Sequence, residues 1–131
     1  MGSPALTRVI PAAVFDTNIL IDLLMDRGDA KAVVAGCPNR AVSVITSIEL
    51  LSGVPEGGWS VLHDLLARFE ELPLDDEVRD EAARIRRATR LKLPDAIILA
   101  TARTHRLPLV TRNIRDFPAD SDGVILPYSL T

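Results

Sequence analysis

Ala12-Ala13-Val14-Phe15-Asp16-Thr17-Asn18 is the stretch that decides the fold. The first four residues read as a short buried strand. Asp16 closes the run, and Thr17 or Asn18 opens a helix over Ile19 to Met25. The same grammar recurs along the chain. Val42 to Ile45 reads as a β-branched strand followed by a helix from Ile48 that Gly53 and Pro55 stop. Leu107 to Thr111 and Val124 to Leu126 read as the last strands. Between them the spacing predicts helices over Ala30 to Ala35, Ser60 to Phe69, Asp76 to Leu91 and Ala96 to His105. Strands alternating with helices imply an α/β fold with a central parallel β-sheet flanked by helices.

Composition bounds the rest. A chain of 131 residues with 47% hydrophobic content is expected to form a single domain over 1–131, with its core from about 13 to 126. A domain of that size buries roughly two thirds of its unfolded surface. The apolar runs fall far short of a membrane span, and no targeting pattern opens the chain. Cys37 is the single cysteine, and His63 and His105 stand far apart, so no disulfide framework or zinc spacing exists. A cytoplasmic setting is expected.

Four carboxylates stand where apolar runs end or helices begin: Asp16, Glu49, Asp95 and Asp116. If the strands ending near Asp16, Glu49 and Asp116 are parallel, their carboxyl ends share one edge of the sheet, where open α/β sheets hold ligands. Each acid also has an ordinary structural role open to it. Asp16 could cap a helix, and Thr46-Ser47-Ile48-Glu49 is a ready capping box. Asp95 after Pro94 suits a first helical turn, and Asp116 suits a turn. Asp22, one turn after Asn18, reads as a surface or supporting acid.

Charge is unevenly spread. The net charge is -3, yet residues 84–115 hold nine basic side chains against Asp95 alone. An arginine-rich segment around one aspartate suits a polyanion brought to a metal. Helix-stabilising pairs such as Asp80 with Arg84 are the plainer use of these charges.

Val14-Phe15-Asp16-Thr17-Asn18, Glu49 in Thr-Ser-Ile-Glu-Leu, Leu93-Pro94-Asp95-Ala96-Ile97-Ile98-Leu99-Ala100-Thr101-Ala102 and Val110-Thr111-Arg112-Asn113-Ile114-Arg115-Asp116-Phe117 together resemble the four motifs of PIN-domain ribonucleases. Within that family the chain is most similar to the VapC toxins of type II toxin-antitoxin pairs. The resemblance implies a Mg2+- or Mn2+-dependent endoribonuclease in which a metal-activated water attacks an RNA phosphodiester. It implies Asp16 and Asp95 as principal ligands, Glu49 as ligand or base, and Asp116 as a further or water-mediated ligand. Thr17, Asn18, Thr111 and Asn113 would orient these acids, and Arg112 and Arg115 would hold flanking phosphates. A small VapB-like antitoxin and a homodimer complete the expectation. Leu99 departs from the pattern, standing where many members carry a small residue. The fourth acidic position varies in the family, so Asn113 is a partner or substitute for Asp116. A housekeeping PIN nuclease and an inert PIN-like interaction module remain open. A phosphorelay receiver domain is disfavoured, because neither Lys31 nor Lys92 follows a late strand.

Overall fold

A computed structural model describes residues 9–113, 115–117 and 123–128. The chain alternates as read from its sequence: β1 (Ala12–Phe15), α1 (Thr17–Leu24), α2 (Gly28–Ala35), β2 (Asn39–Ser43), α3 (Val44–Ser52), a 3-10 turn (Glu56–Gly58), α4 (Trp59–Leu66), β3 (Glu70–Leu72), α5 (Asp76–Ala88), α6 (Leu93–Thr104), β4 (Leu109–Val110) and β5 (Val124–Ile125). The five strands form one parallel sheet in the order β3-β2-β1-β4-β5. The chain winds outward from β1 through β2 to β3, then returns to place β4 on the other side of β1. That reversal opens a crevice between the carboxyl ends of β1 and β4.

Alternation along each strand sorts the core into two layers. Val14, Ala41, Leu72 and Leu109 face α5 and α6, where Val78, Ala82, Ile85 and Ile98 complete one cluster. Ala13, Phe15, Val42 and Val110 point the other way, onto Ile19 and Leu20 of α1, Val34 of α2 and Leu62 and Leu65 of α4. Phe15 meets Phe69 edge to face, with ring centroids 5.8 Å apart, a favoured aromatic geometry. Apolar side chains thus cover both sheet faces, leaving the strand ends as the place for polar groups.

Two sequence expectations are corrected. The strand expected at Val42 to Ile45 ends at Ser43. The Ser43 hydroxyl accepts from the Ile45 N–H at 3.0 Å and starts α3 at once, so the β-branched Val44 and Ile45 are helical. Glu49 therefore lies inside α3 and closes no capping box at Thr46. The strand β3 was not expected at all, because Glu70-Glu71-Leu72 offers one apolar residue. It is an edge strand, where charge discourages pairing with another sheet. Glu71 is anchored by the Ser47 hydroxyl, which donates to its Oε1 at 2.6 Å. Among the described residues, no helix is long and apolar enough to cross a membrane.

Ile98 is buried at the centre of α6 against the sheet, and Ile48 is exposed on α3. Ile98→Ala is expected to lower unfolding stability by about 2–5 kcal/mol, and Ile48→Ala to change it by less than about 0.5 kcal/mol. Urea unfolding of both variants checks this assignment of the core.

Candidate active site

Asp16 is the residue that β1 delivers to the crevice. Its backbone N–H donates to the Val110 carbonyl of β4 at 2.9 Å, and its extended backbone makes it the N-cap of α1. Oδ1 accepts from the Thr17 N–H at 2.8 Å, while Oδ2 accepts from the Thr111 hydroxyl at 2.8 Å and from the Asn18 amide at 3.4 Å. Thr111 lies just past β4 and is buried. Its Oγ1 also accepts from Asn18 Nδ2 at 3.2 Å and from the Asn113 N–H at 3.0 Å. Asp16 is itself only 4% exposed. Burial pushes its carboxyl above the usual range against the pull of the Thr111 and Thr17 hydrogen bonds, and the nearby Glu49 charge pushes the same way.

Glu49 reaches this edge from α3. Its Oε1 accepts from the Thr17 hydroxyl at 2.7 Å, and Thr17 Oγ1 lies 3.0 Å from the hydroxyl of Thr46. One threonine thus joins α1 to α3, with Asp16 capping its backbone and Glu49 holding its side chain. Thr46 was not singled out from sequence; it is fully buried beneath this contact.

Asp95 enters from the first turn of α6. Its carboxyl is raised to about 6, first by burial and then by the negative charges of Asp16, Asp116 and Glu49, with Lys92 pulling weakly the other way. Asp95 thus feels the charge of each of the other three expected acids. Asp116 is tied to Asn113, whose side-chain amide donates to Asp116 Oδ2 at 2.9 Å and whose Oδ1 accepts from the Asp116 N–H at 3.3 Å. Asn113 is thus a partner of Asp116. Among the described residues, no three His, Cys, Asp or Glu side chains stand close enough to be a ready-made metal cluster.

The expectation for Arg112 is revised by its partners. Nε donates to Asp22 Oδ2 at 2.6 Å and Nη2 donates to Asp22 Oδ1 at 2.9 Å, while the Tyr128 hydroxyl donates to Oδ2 at 2.7 Å. Asp22 is no surface acid but 2% exposed. Burial alone would raise its carboxyl, and the Arg112 and Tyr128 hydrogen bonds outweigh that and hold it below the ordinary value. The forked guanidinium–carboxylate geometry fixes the loop after β4 onto α1. Arg112 therefore shapes the loop bearing Thr111 and Asn113. Exposed Arg115 is the arginine of this loop left facing solvent. A cleft of about 580 Å³ lined by Asn18, Arg112, Asn113 and Arg115 opens beside Asp16. The sequence signal for Asp22 was its place inside an apolar helical run, flanked by Ile21 and Leu23.

Residues 13–119 of the chain match the PIN domain family model. The chain belongs to the PIN domain family. The PIN domain is similar to a toxin-antitoxin complex from Klebsiella pneumoniae, at 42% identity and a TM-score of 0.83 over 91% of this chain and 100% of that one. It is also similar to FitAcB from Neisseria gonorrhoeae, at 26% identity and a TM-score of 0.70, covering 90% of this chain and 99% of that one. DNA-bound VapBC from Salmonella typhimurium shares its fold, at 22% identity and a TM-score of 0.74 over 88% of this chain and 96% of that one. No curated protein matches the sequence.

The crowding of acids in this PIN domain has a signed consequence for metal-free stability. Asp95 holds its proton up to about pH 6 when folded and releases it near 3.8 when unfolded. Stability from this group is therefore lost as pH rises from about 4 to about 6. Replacing Asp95 by Asn removes that loss, while the charge at the α6 N-terminus contributes about 0.3–1 kcal/mol the other way. Metal-free Asp95→Asn is expected to be more stable than wild type at pH 7, by about 1 kcal/mol after allowing for solvent screening. Below about pH 4 the advantage should reverse or vanish. Thermal melts at pH 4 and pH 7 read both signs. Asp22→Asn, which breaks the Arg112 pair, is expected to destabilise by about 3–5 kcal/mol in urea unfolding.

Proposed function

We propose that this PIN domain is a divalent-metal-dependent endoribonuclease, the toxin of a toxin-antitoxin pair acting in the cytoplasm. The observation that carries the reading is Asp16, buried at the crevice between β1 and β4 and joined through Thr17 to Glu49, with Asp95 near enough to feel the charges of Asp16, Asp116 and Glu49. The 42% identity to a protein of a toxin-antitoxin complex supports the biological half.

The donor set fits a hard cation. All four groups are carboxylates, and hard oxygen ligands suit magnesium or manganese. Both Asp16 oxygens already accept hydrogen bonds, and a carboxylate oxygen keeps further lone-pair capacity after accepting one. Asp16 and Asp95 would hold the metal, with Glu49 and Asp116 as direct or water-mediated ligands. When bound, the metal would lower the pKa of a water and offset charge on the phosphodiester.

The chain's own groups supply orientation and charge. Thr111 and Thr17 fix the plane of the Asp16 carboxylate. Thr17 also holds Glu49 by Oε1, which leaves Oε2 to take a proton from the attacking water. Asn113 aims Asp116. Arg115, exposed at the rim of the cleft, would hold a flanking phosphate, while Arg112 contributes positive charge beside Asp16 from its place on Asp22.

A surface for the antitoxin is at hand. A groove of about 580 Å³ runs between α1, α2 and α4, with Leu23, Leu24, Val61 and Leu65 as its apolar lining. Val61 is 62% exposed and neighbouring Met25 71%, a surface suited to the apolar face of a partner helix. The family reading adds a homodimer, which light scattering of the purified chain tests.

Single-stranded or structured RNA is expected to be cleaved with Mn2+ or Mg2+ and spared in EDTA, with Asp16→Asn inactive. Equal cleavage in EDTA by nuclease-free protein would overturn the mechanism. Thr111→Val is expected to lower metal affinity or cleavage roughly 10- to 100-fold, the usual effect of removing a group that orients a ligand. Because a proton competes with the metal for Asp95, Mn2+ affinity measured by calorimetry should fall as pH drops below about 6.

A further inference from the structure

A further cavity, of about 260 Å³, shares Arg115 with the Asn18–Arg112 cleft. Its lining includes Asp116, so it adjoins the acidic site directly. Leu91, Leu99, Phe117 and Val124 give it an apolar floor, and Arg90, Arg103 and Arg115 stand at its wall. Arg103 lies 3.8 Å from Glu81, which leans it towards α5. Arg90 and Arg115 are exposed.

The wall is preformed. Thr89 leaves α5 with extended backbone. Its hydroxyl donates to the Ile85 carbonyl at 2.8 Å and accepts from the Leu91 N–H at 3.2 Å. Arg86 Nη1 donates to the Leu91 carbonyl at 3.0 Å. Three side-chain hydrogen bonds thus hold the short loop between α5 and α6, and Arg90 is carried at its apex. Arg86 has a structural task here. Arg84 does also, since it pairs with Glu81 at 3.0 Å rather than with Asp80, which is taken by Arg79.

An apolar floor beside the exposed guanidinium groups of Arg90 and Arg115 suits a base and its phosphate. Small-molecule pockets run roughly 300–1,000 Å³, so about 260 Å³ has room for one nucleotide base and not for a length of strand. Guanidinium planes stack on bases, and their charge answers the phosphate backbone.

We propose that this cavity is a nucleotide subsite of the nuclease, taking one unstacked base of single-stranded RNA next to the scissile bond, with Arg90 and Arg115 on the adjoining phosphates. The proposal rests on the nuclease reading for its substrate class. Leu99, on the floor, then sets the depth available to the base and so bears on which base is accepted.

The test uses the full chain with Asp95→Asn, in EDTA, so that binding is read without cleavage. The probes are a single-stranded RNA octamer and a series in which one position after another is abasic. One position is expected to lose roughly tenfold in affinity when its base is removed, the scale of a stacked base. Leu99→Phe, which shallows the floor, should erase that positional loss. Arg90→Ala sits on an exposed residue and should fold normally. It should weaken binding roughly 3- to 10-fold and reduce the slope of log affinity against log salt by about 0.7. Equal tolerance of abasic sites at every position, or an unchanged salt slope in Arg90→Ala, overturns the subsite. Cleavage by the wild type in Mn2+ is read separately on the same octamers. Cleavage with no positional loss sinks the subsite alone, and a positional loss with no cleavage sinks the nuclease alone.

Discussion

The Thr111 hydroxyl donating to Asp16 joins strand ends separated by 95 residues of sequence, and the rest of the site is arranged around that contact. It exists because β1 and β4 are parallel neighbours, with Phe15 in register with Val110. The next residue of each strand must then emerge at the same edge. A buried carboxylate needs hydrogen-bond donors, and at this edge the α1 N-terminus and the residue after β4 provide them. The fold places an acid in a crevice and stabilises it there with groups that any parallel α/β crossover brings close.

Stability and chemistry pull against each other at that edge. The two apolar layers hold the sheet rigid enough that Asp16, Glu49, Asp95 and Asp116 stay near each other despite their like charges. Asp95 shows the result in its raised carboxyl. An arrangement that is unfavourable without a cation is one that a cation stabilises, by mass action on the native state. The ion pair of Asp22 with Arg112 works in the opposite sense, balancing one acid of the region so that the loop after β4 keeps its place.

Much of this was legible in the chain. Asp16, Asp95 and the parallel strands could be read because each rests on local pattern: an apolar run, a stop and a helix-opening residue. The start of α3 could not, since Val44 and Ile45 are β-branched and only the Ser43 hydroxyl decides that the chain turns helical there. Nor could β3, an edge strand whose two glutamates hide it. The role of Arg112 was out of reach for a different reason. Its partner Asp22 lies 90 residues away and Tyr128 lies 106 from Asp22, so nothing near any of them announces the cluster.

Tyr128 is the chain's sole tyrosine, and Trp59 its sole tryptophan. Burial and the Asp22 carboxylate push the Tyr128 phenol well above its ordinary value, so its ionisation belongs to the folded loop contact and returns to normal when that contact is lost. Tyrosinate absorbance at alkaline pH is therefore a label-free optical signal from one side chain. Trp59 donates from its indole to the Leu51 carbonyl on α3 at 2.9 Å and packs against the core layer of α1, α2 and α4. The protein thus carries two native chromophores, one tied to the Asp22–Arg112 pair and one packed against the core, by which loosening of that loop contact is distinguishable from global unfolding.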